Sequence, residues 1–252
     1  MLKRLVEHNS GYYALISNFE KRGWGRMLYN PQVPQHIDSN HAEGLLTSLR
    51  ALPGVVAEVE EFYRGHGLTP RIRINQFDRP QGMESFLAQR GYVIRPASYR
   101  IMLWDNIPFE PMLRPGITVE KVGTHNRPEA LHIVSGERSW GPPEVIAAVF
   151  AREFASANID YYLVRRGGLP ATTGFLYYQG GLAKIENVRT LPQHRGQGCA
   201  AALVRHVQGE FTGRGGEGLY LLAGDAVMGL YQKQGFVDLG RIQESNAFVP
   251  KQ

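Results

Sequence analysis

Apolar residues recur at helical spacing along much of the chain. Val145, Ile146, Val149, Phe150 and Phe154 share one face of a helix predicted over residues 143–155, and Leu203, Val204, Val207 and Phe211 stripe another over 196–211. Val55, Val56, Val59, Phe62 and Tyr63 do the same over 54–66, and 81–90 reads as a shorter helix closed by Gly91. Strands are predicted at 71–75, 92–104, 117–122, 160–166, 172–179, 182–190 and 219–223, with a last one from Phe236. Gly167-Gly168 and Gly180-Gly181 mark tight turns between them. Asp225 is placed to cap a short helix that Gly235 ends. Residues 19–42 mix polar, aromatic and turn-forming types with little period and read as a long loop.

Three prolines, Pro108, Pro111 and Pro115, crowd into residues 106–116 and resist both helix and central strand. That span is read as a linker between halves 1–105 and 117–252. Both halves are mixed α/β, and the first repeats the end of the second: strand, short helix, glycine-aromatic, strand. Phe86-Leu87 precede Gly91 as Leu230-Tyr231 precede Gly235. The repeat predicts two tandem units.

With 252 residues, 43% of them apolar and 20% charged, the chain can bury a sizeable core and is not a disordered polymer. The net charge of +5 suits a polyanionic ligand and equally a solvated basic surface. The Lys and Arg residues form no cluster, so no nucleic-acid partner is expected. Cys199 is the sole cysteine and the eight histidines lack metal-ligand spacing, so neither a disulfide nor a metal site is expected. Residues 1–9 lack a signal peptide's apolar core, and no run approaches the length needed to cross a bilayer. A cytoplasmic location is the resulting expectation.

The informative segment runs Val188-Arg189-Thr190-Leu191-Pro192-Gln193-His194-Arg195-Gly196-Gln197-Gly198-Cys199-Ala200. A strand ends, a glycine-rich turn follows and an amphipathic helix begins. The unpaired N–H groups of a helix's first turn, with its dipole, favour a phosphate there. Neither the dinucleotide-binding nor the P-loop glycine pattern is present. The segment resembles motif A of the GNAT-type N-acetyltransferases, Q/R-x-x-G-x-G/A, in two frames starting at Gln193 and at Arg195. Further on, Leu230-Tyr231 through Gly235-Phe236 resembles the family's Leu-Tyr-x-x-x-Gly-Phe ending. The resemblance covers roughly residues 117–249. It implies the acyl-CoA N-acyltransferase fold, a tandem arrangement with a degenerate first half, and acetyl-CoA as acyl donor.

The resemblance also implies roles. Val188, Arg189 and Thr190 run beside the pantetheine arm, and the Val188 N–H polarises the thioester carbonyl. Gln193, Arg195, Gly196, Gln197, Gly198, Cys199 and Ala200 wrap the pyrophosphate. Tyr231 donates a proton to the leaving thiolate, and Glu186, placed by strand alternation on the face of Val188, serves as base or organises water. Cys199 is read as a small packing residue, not a nucleophile. Gly224 stands where many family members have asparagine, which puts one cofactor contact in doubt. In the first half, Leu87 stands where Tyr231 stands and the glycine loop is missing, so that half is expected to shape the acceptor site, with Trp24, Asp38, Asn40 and His41 as candidates. His132 and His206 are not favoured as bases. The acceptor amine and the oligomeric state stay open. So do two alternatives: a non-catalytic acetyl-CoA-binding module, and an aminoacyl transferase acting with nucleic acid.

Overall fold

The computed structural model describes residues 1–78, 80–107, 114–136 and 141–250. In chain order the elements are α1 (Leu2–Leu15), β1 (Asn18–Arg22), β2 (Gly25–Tyr29), β3 (His41–Glu43), α2 (Leu52–Gly65), β4 (Arg71–Asn75), α3 (Met83–Gln89), β5 (Val93–Trp104), β6 (Ile117–Lys121), α4 (Arg127–Gly136), α5 (Pro143–Ala155), β7 (Ile159–Arg166), β8 (Leu169–Gln179), β9 (Leu182–Thr190), α6 (Cys199–Gly213), β10 (Gly218–Ala223), α7 (Met228–Gln232) and β11 (Phe236–Phe248). The mixed α/β architecture expected from the sequence is the one observed.

The chain divides into two compact units that interleave in sequence. One holds Met1–Asn9 and Arg100–Gly240; the other holds Ser10–Tyr99 and Arg241–Gln252. Each unit therefore takes a terminal segment from outside the expected halves 1–105 and 117–252. Of the expected linker, residues 108–113, with Pro108 and Pro111, lie outside the described residues.

In the first unit the strand order is β5-β10-β9-β8-β7-β6. Only β9 and β10 run parallel; the other pairs are antiparallel. Alternation along these strands serves two faces. Tyr162, Val164, Leu176, Ala183 and Ile185 pack with Leu203, Val204, Val207 and Phe211 of α6. On the other face Tyr161 meets Phe150 of α5 with ring centroids 4.7 Å apart, and Phe175 meets Tyr161 at 4.9 Å. Asp225 does not cap a helix by its side chain. Gly224 takes that position, and the Asp225 carboxylate accepts from Arg100 Nε at 2.9 Å. The arginine offers a charged partner, whereas capping offers one amide.

In the second unit the order is β1-β2-β3-β4-β11, with α2 and α3 supplying Val56, Val59, Tyr63 and Leu87 to a core that also takes Met27, Ile72 and Ala247. Residues 19–42 are not a loop throughout. They include most of the β1–β2 hairpin, and β3 begins at His41. The polar residues there are engaged in structure. Trp24 Nε1 donates to Glu58 at 2.7 Å, Asp38 pairs with Arg73, and Asn40 Nδ2 donates to the carbonyls of Val33 and His36.

Glu43 is the most consequential of the buried charges. It accepts from Arg26 Nε at 2.7 Å and Ser10 Oγ at 3.2 Å, and His41 Nε2 stands 3.3 Å from it. Burial raises this carboxyl, but the His41 hydrogen bond and the nearby Arg26 and Arg73 outweigh it and bring it from 4.5 to about 2. A carboxyl held low in the folded state gives stability above its ordinary range and loses it as pH falls. Chemical denaturation should therefore show stability declining as pH drops from 4.5 towards about 2. Glu43→Gln should cost roughly 3 kcal/mol at pH 7, because Arg26 would be left without its charge partner.

Candidate functional site

The site is built on an irregularity in β9. The β8–β9 ladder pairs Thr172 with Thr190 and Thr173 with Arg189, then resumes at Phe175 with Glu186. Asn187 and Val188 thus share the single place opposite Gly174, which is a β-bulge. Asn187 takes the left-handed backbone conformation (φ 56°), which asparagine tolerates better than most residues. Gly174 gives Val188 room across the ladder. A Cβ there would stand 3.2 Å from both Cα and Cγ2 of Val188.

The bulge has two consequences. First, β9 pairs with β10 only from Leu182–Gly218 to Ile185–Leu221. Beyond that point Glu186 to Thr190, Leu222 and Tyr231 line an open pocket of about 1010 Å³. Second, the extra residue changes the facing. Ile185 and Val188 both pack against the core under α6, whereas Glu186 pairs with Lys184, two residues before it. The expectation that Glu186 and Val188 share a face is therefore overturned, because simple alternation fails across a bulge.

Lys184 is buried, and its Nζ also donates to Asn9 Oδ1 at 2.6 Å. Beside it on the first unit's N-terminal segment, His8 Nδ1 lies 2.9 Å from Tyr220 Oη. Burial, then the Lys184 charge, push the His8 imidazole down to about 4, so it is neutral at pH 7.

The glycine-rich turn closes one end of the pocket. Residues Pro192–His194 form a single 3-10 turn, and α6 begins at Cys199, three residues later than the sequence reading placed it. Gly196 (φ 70°) and Gly198 (φ 89°) are both left-handed, and Gly198 is the N-cap. Gly198 also lets Arg114 approach, for its Cδ and Nε lie 3.3 Å from where a Cβ would be. Among the described pocket-lining residues, Arg114, Arg189, Arg195, Arg205 and Lys233 are cationic and Glu186 is acidic. That balance, beside a helix N-terminus, fits a polyanion.

Of the residues singled out from sequence, Glu186, Val188, Arg189, Thr190, Arg195, Gly196, Gly198, Cys199, Ala200 and Tyr231 line this pocket. Gln193 and Gln197 do not. Gln197 Nε2 donates instead to the Gln193 carbonyl at 2.8 Å, within the turn. Arg189 Nε donates to Asn187 Oδ1 at 3.1 Å, and burial lowers its pKa. Tyr231 is 9% exposed, and burial followed by the Glu186 charge raises its phenol to about 12. His132 is exposed and His206 packs on the Tyr162 ring at 5.1 Å; neither lines the pocket. Sequence reasoning missed Arg114, Arg205, Lys233 and the Gly174–Asn187 pair. The last had a signal: an asparagine interrupting an otherwise apolar-charged strand, opposite a glycine.

Against this geometry the comparisons are specific. The model of the acetyltransferase (GNAT) family matches residues 131–236. That match spans less than half of the chain, and those residues are similar to the family's acetyltransferase domain. No curated protein matches the chain. Among solved structures, a GCN5-related N-acetyltransferase from Kribbella flavida has a TM-score of 0.70 at 16% identity, covering 97% of this chain and 95% of that one. A protein of unknown function from Staphylococcus epidermidis has a TM-score of 0.68 at 12% identity, covering 93% and 95%. A GCN5-related N-acetyltransferase from Sphaerobacter thermophilus has a TM-score of 0.58 at 18% identity, covering 81% and 70%. At these identities the likeness is one of fold.

Cys199 is 1% exposed at the start of α6, and burial raises its thiol above the ordinary value. The helix N-terminus would lower it, so burial wins. A disulfide exchange reagent at pH 8 should modify the native protein roughly a hundredfold more slowly than the unfolded chain.

Proposed function

We propose that the protein transfers an acetyl group from acetyl-CoA to an amine of a small molecule or peptide, by direct attack. The observation that carries this reading is the parting of β9 and β10 at the bulge, beside the cationic, glycine-rich start of α6. An added strand-like ligand can run along 188–190. The amides of 196–200, with Arg195 and Arg114, would hold the pyrophosphate. When bound, acetyl-CoA supplies an acyl thioester.

The chain's own groups then divide the work. The Val188 N–H lies outside the β8–β9 register and is the donor for the carbonyl oxygen as it gains charge. Tyr231 Oη keeps its proton at neutral pH and delivers it to the departing sulfur. Glu186 lines the pocket from the other face of β9 and accepts the amine proton, directly or through water. The presence of both Glu186 and Tyr231 speaks against a purely acetyl-CoA-binding module.

Calorimetric titration of acetyl-CoA into wild type and Gly196→Glu tests the cofactor site. A Cβ at this position meets nothing within 4 Å, so the variant should fold, with about 1–2 kcal/mol of backbone strain. Binding to wild type and at least tenfold weaker binding to the variant are expected; no binding to wild type would end this reading. In an amine screen for CoA release, Tyr231→Phe should lower kcat about 10²-fold. The deficit should stay constant from pH 7 to about 10, because the phenol remains protonated throughout.

A further inference from the structure

The bulge in β9 is held from the α5 side of the sheet by a chain of buried polar groups that the proposed reaction does not use. Tyr161 on β7 is buried, and its hydroxyl donates to Glu153 Oε2 on α5 at 2.5 Å. Glu153 is itself only 3% exposed. The side chain of Asn187 reaches the same Tyr161 phenol. Its Oδ1 is occupied by Arg189 Nε, which leaves the amide N–H₂ to face the phenol oxygen. The Asn187 backbone N–H donates to Glu186 Oε1 at 3.2 Å. Burial of a carboxylate and a phenol is costly unless both are bonded, and here each is bonded to the other.

We infer that Glu153, Tyr161 and Asn187, with Gly174 across the ladder, form a positioning device that fixes the direction of the Val188 N–H. A left-handed asparagine at 187 sets where the next peptide plane points, and φ at that residue is free to relax unless its side chain is anchored. The anchor runs Asn187 to Tyr161 to Glu153, from the bulge to helix α5. Gly174 leaves the room into which Val188 is pressed. These are positioning residues, since none of them lines the pocket except Asn187. The inference rests on the proposed role of the Val188 N–H.

The experiment uses the full chain with acetyl-CoA labelled with carbon-13 at the carbonyl. Calorimetry on the wild type comes first; lack of binding there would overturn the functional reading and this inference with it. Infrared difference spectra without acceptor then report the carbonyl stretch. Wild type should shift it to lower frequency than free acetyl-CoA. Asn187→Gly keeps the left-handed backbone accessible but removes the anchor, and Tyr161→Phe removes it from the other side. Both should lose at least half of the shift. Their kcat should fall roughly ten- to hundredfold with the KM for acetyl-CoA within about twofold. The double variant should be no worse than the poorer single one. A wild-type carbonyl that does not shift would overturn the inference. So would variants that keep the full shift, whether kcat is retained or falls only in step with melting temperature. Asn187→Gly carries the test if Tyr161→Phe fails to fold.

Discussion

The first unit depends on one extra residue in one strand. In the observed register a regular β9 could pair with β10 as far as Ala223, two positions beyond the point where the pairing ends. With Asn187 inserted, the β8 ladder recovers beyond the bulge, but the parallel pairing with β10 ends at Ile185–Leu221. Parallel neighbours need evenly spaced bonds on both strands. A strand that gains a residue and twists cannot keep them. The pocket is therefore a product of register and not of missing side chains. Gly174 makes it possible by conceding its Cβ, and Asn187 by occupying a conformation that β-branched neighbours would resist.

The second requirement is charge at the pocket's end. Gly198 caps α6 with a left-handed backbone and a missing side chain, which opens the first-turn amides and admits Arg114. Arg195 is steadied by a bond from its Nε to the Thr190 carbonyl at 3.2 Å, so the turn and the strand end move together. The modest positive charge of the whole chain becomes meaningful only here, where five cations gather around one pocket. Cys199, at the helix start, belongs to the packing under α6. Its side chain joins the core cluster under α6 while the residue also borders the pocket.

Much of this was legible in sequence, and the gaps have physical causes. Arg71–Asn75, Pro143–Ala155 and Leu182–Thr190 were read to the residue, because each has a clean period bounded by glycine, proline or polar residues. The glycine turn and Tyr231 were picked out through their resemblance to the family's motifs, and both line the pocket. Helix α1 escaped because Asn9, Ser10 and Gly11 interrupt its period, and α4 because Pro128 suggests a loop although it sits in the first turn, where proline is tolerated. The β1–β2 hairpin is largely half-exposed and so lacks strong alternation. The bulge could not be seen by counting, since a two-residue period predicts facing only where no residue is inserted. That is why Glu186 and Val188 were put on one side.

The corrected facing suits the proposed chemistry better than the expected one. An amine attacks a thioester carbonyl from above the plane of the group, while a donor that stabilises the oxygen approaches close to that plane. A proton acceptor and an oxyanion donor placed side by side on one face would compete for the same direction. With Ile185 and Val188 packed towards α6, and Glu186 turned towards Lys184, the two groups flank the opening from different sides. Lys184 further constrains the carboxylate. Its ammonium, itself bound to Asn9, fixes Glu186 near the bulge, and the Asn187 N–H binds one of the same oxygens. A carboxylate so tethered cannot swing to meet every acceptor. Water between it and the amine would let one fixed base serve amines of different reach, while the tether keeps the charge beside the place where a cation forms.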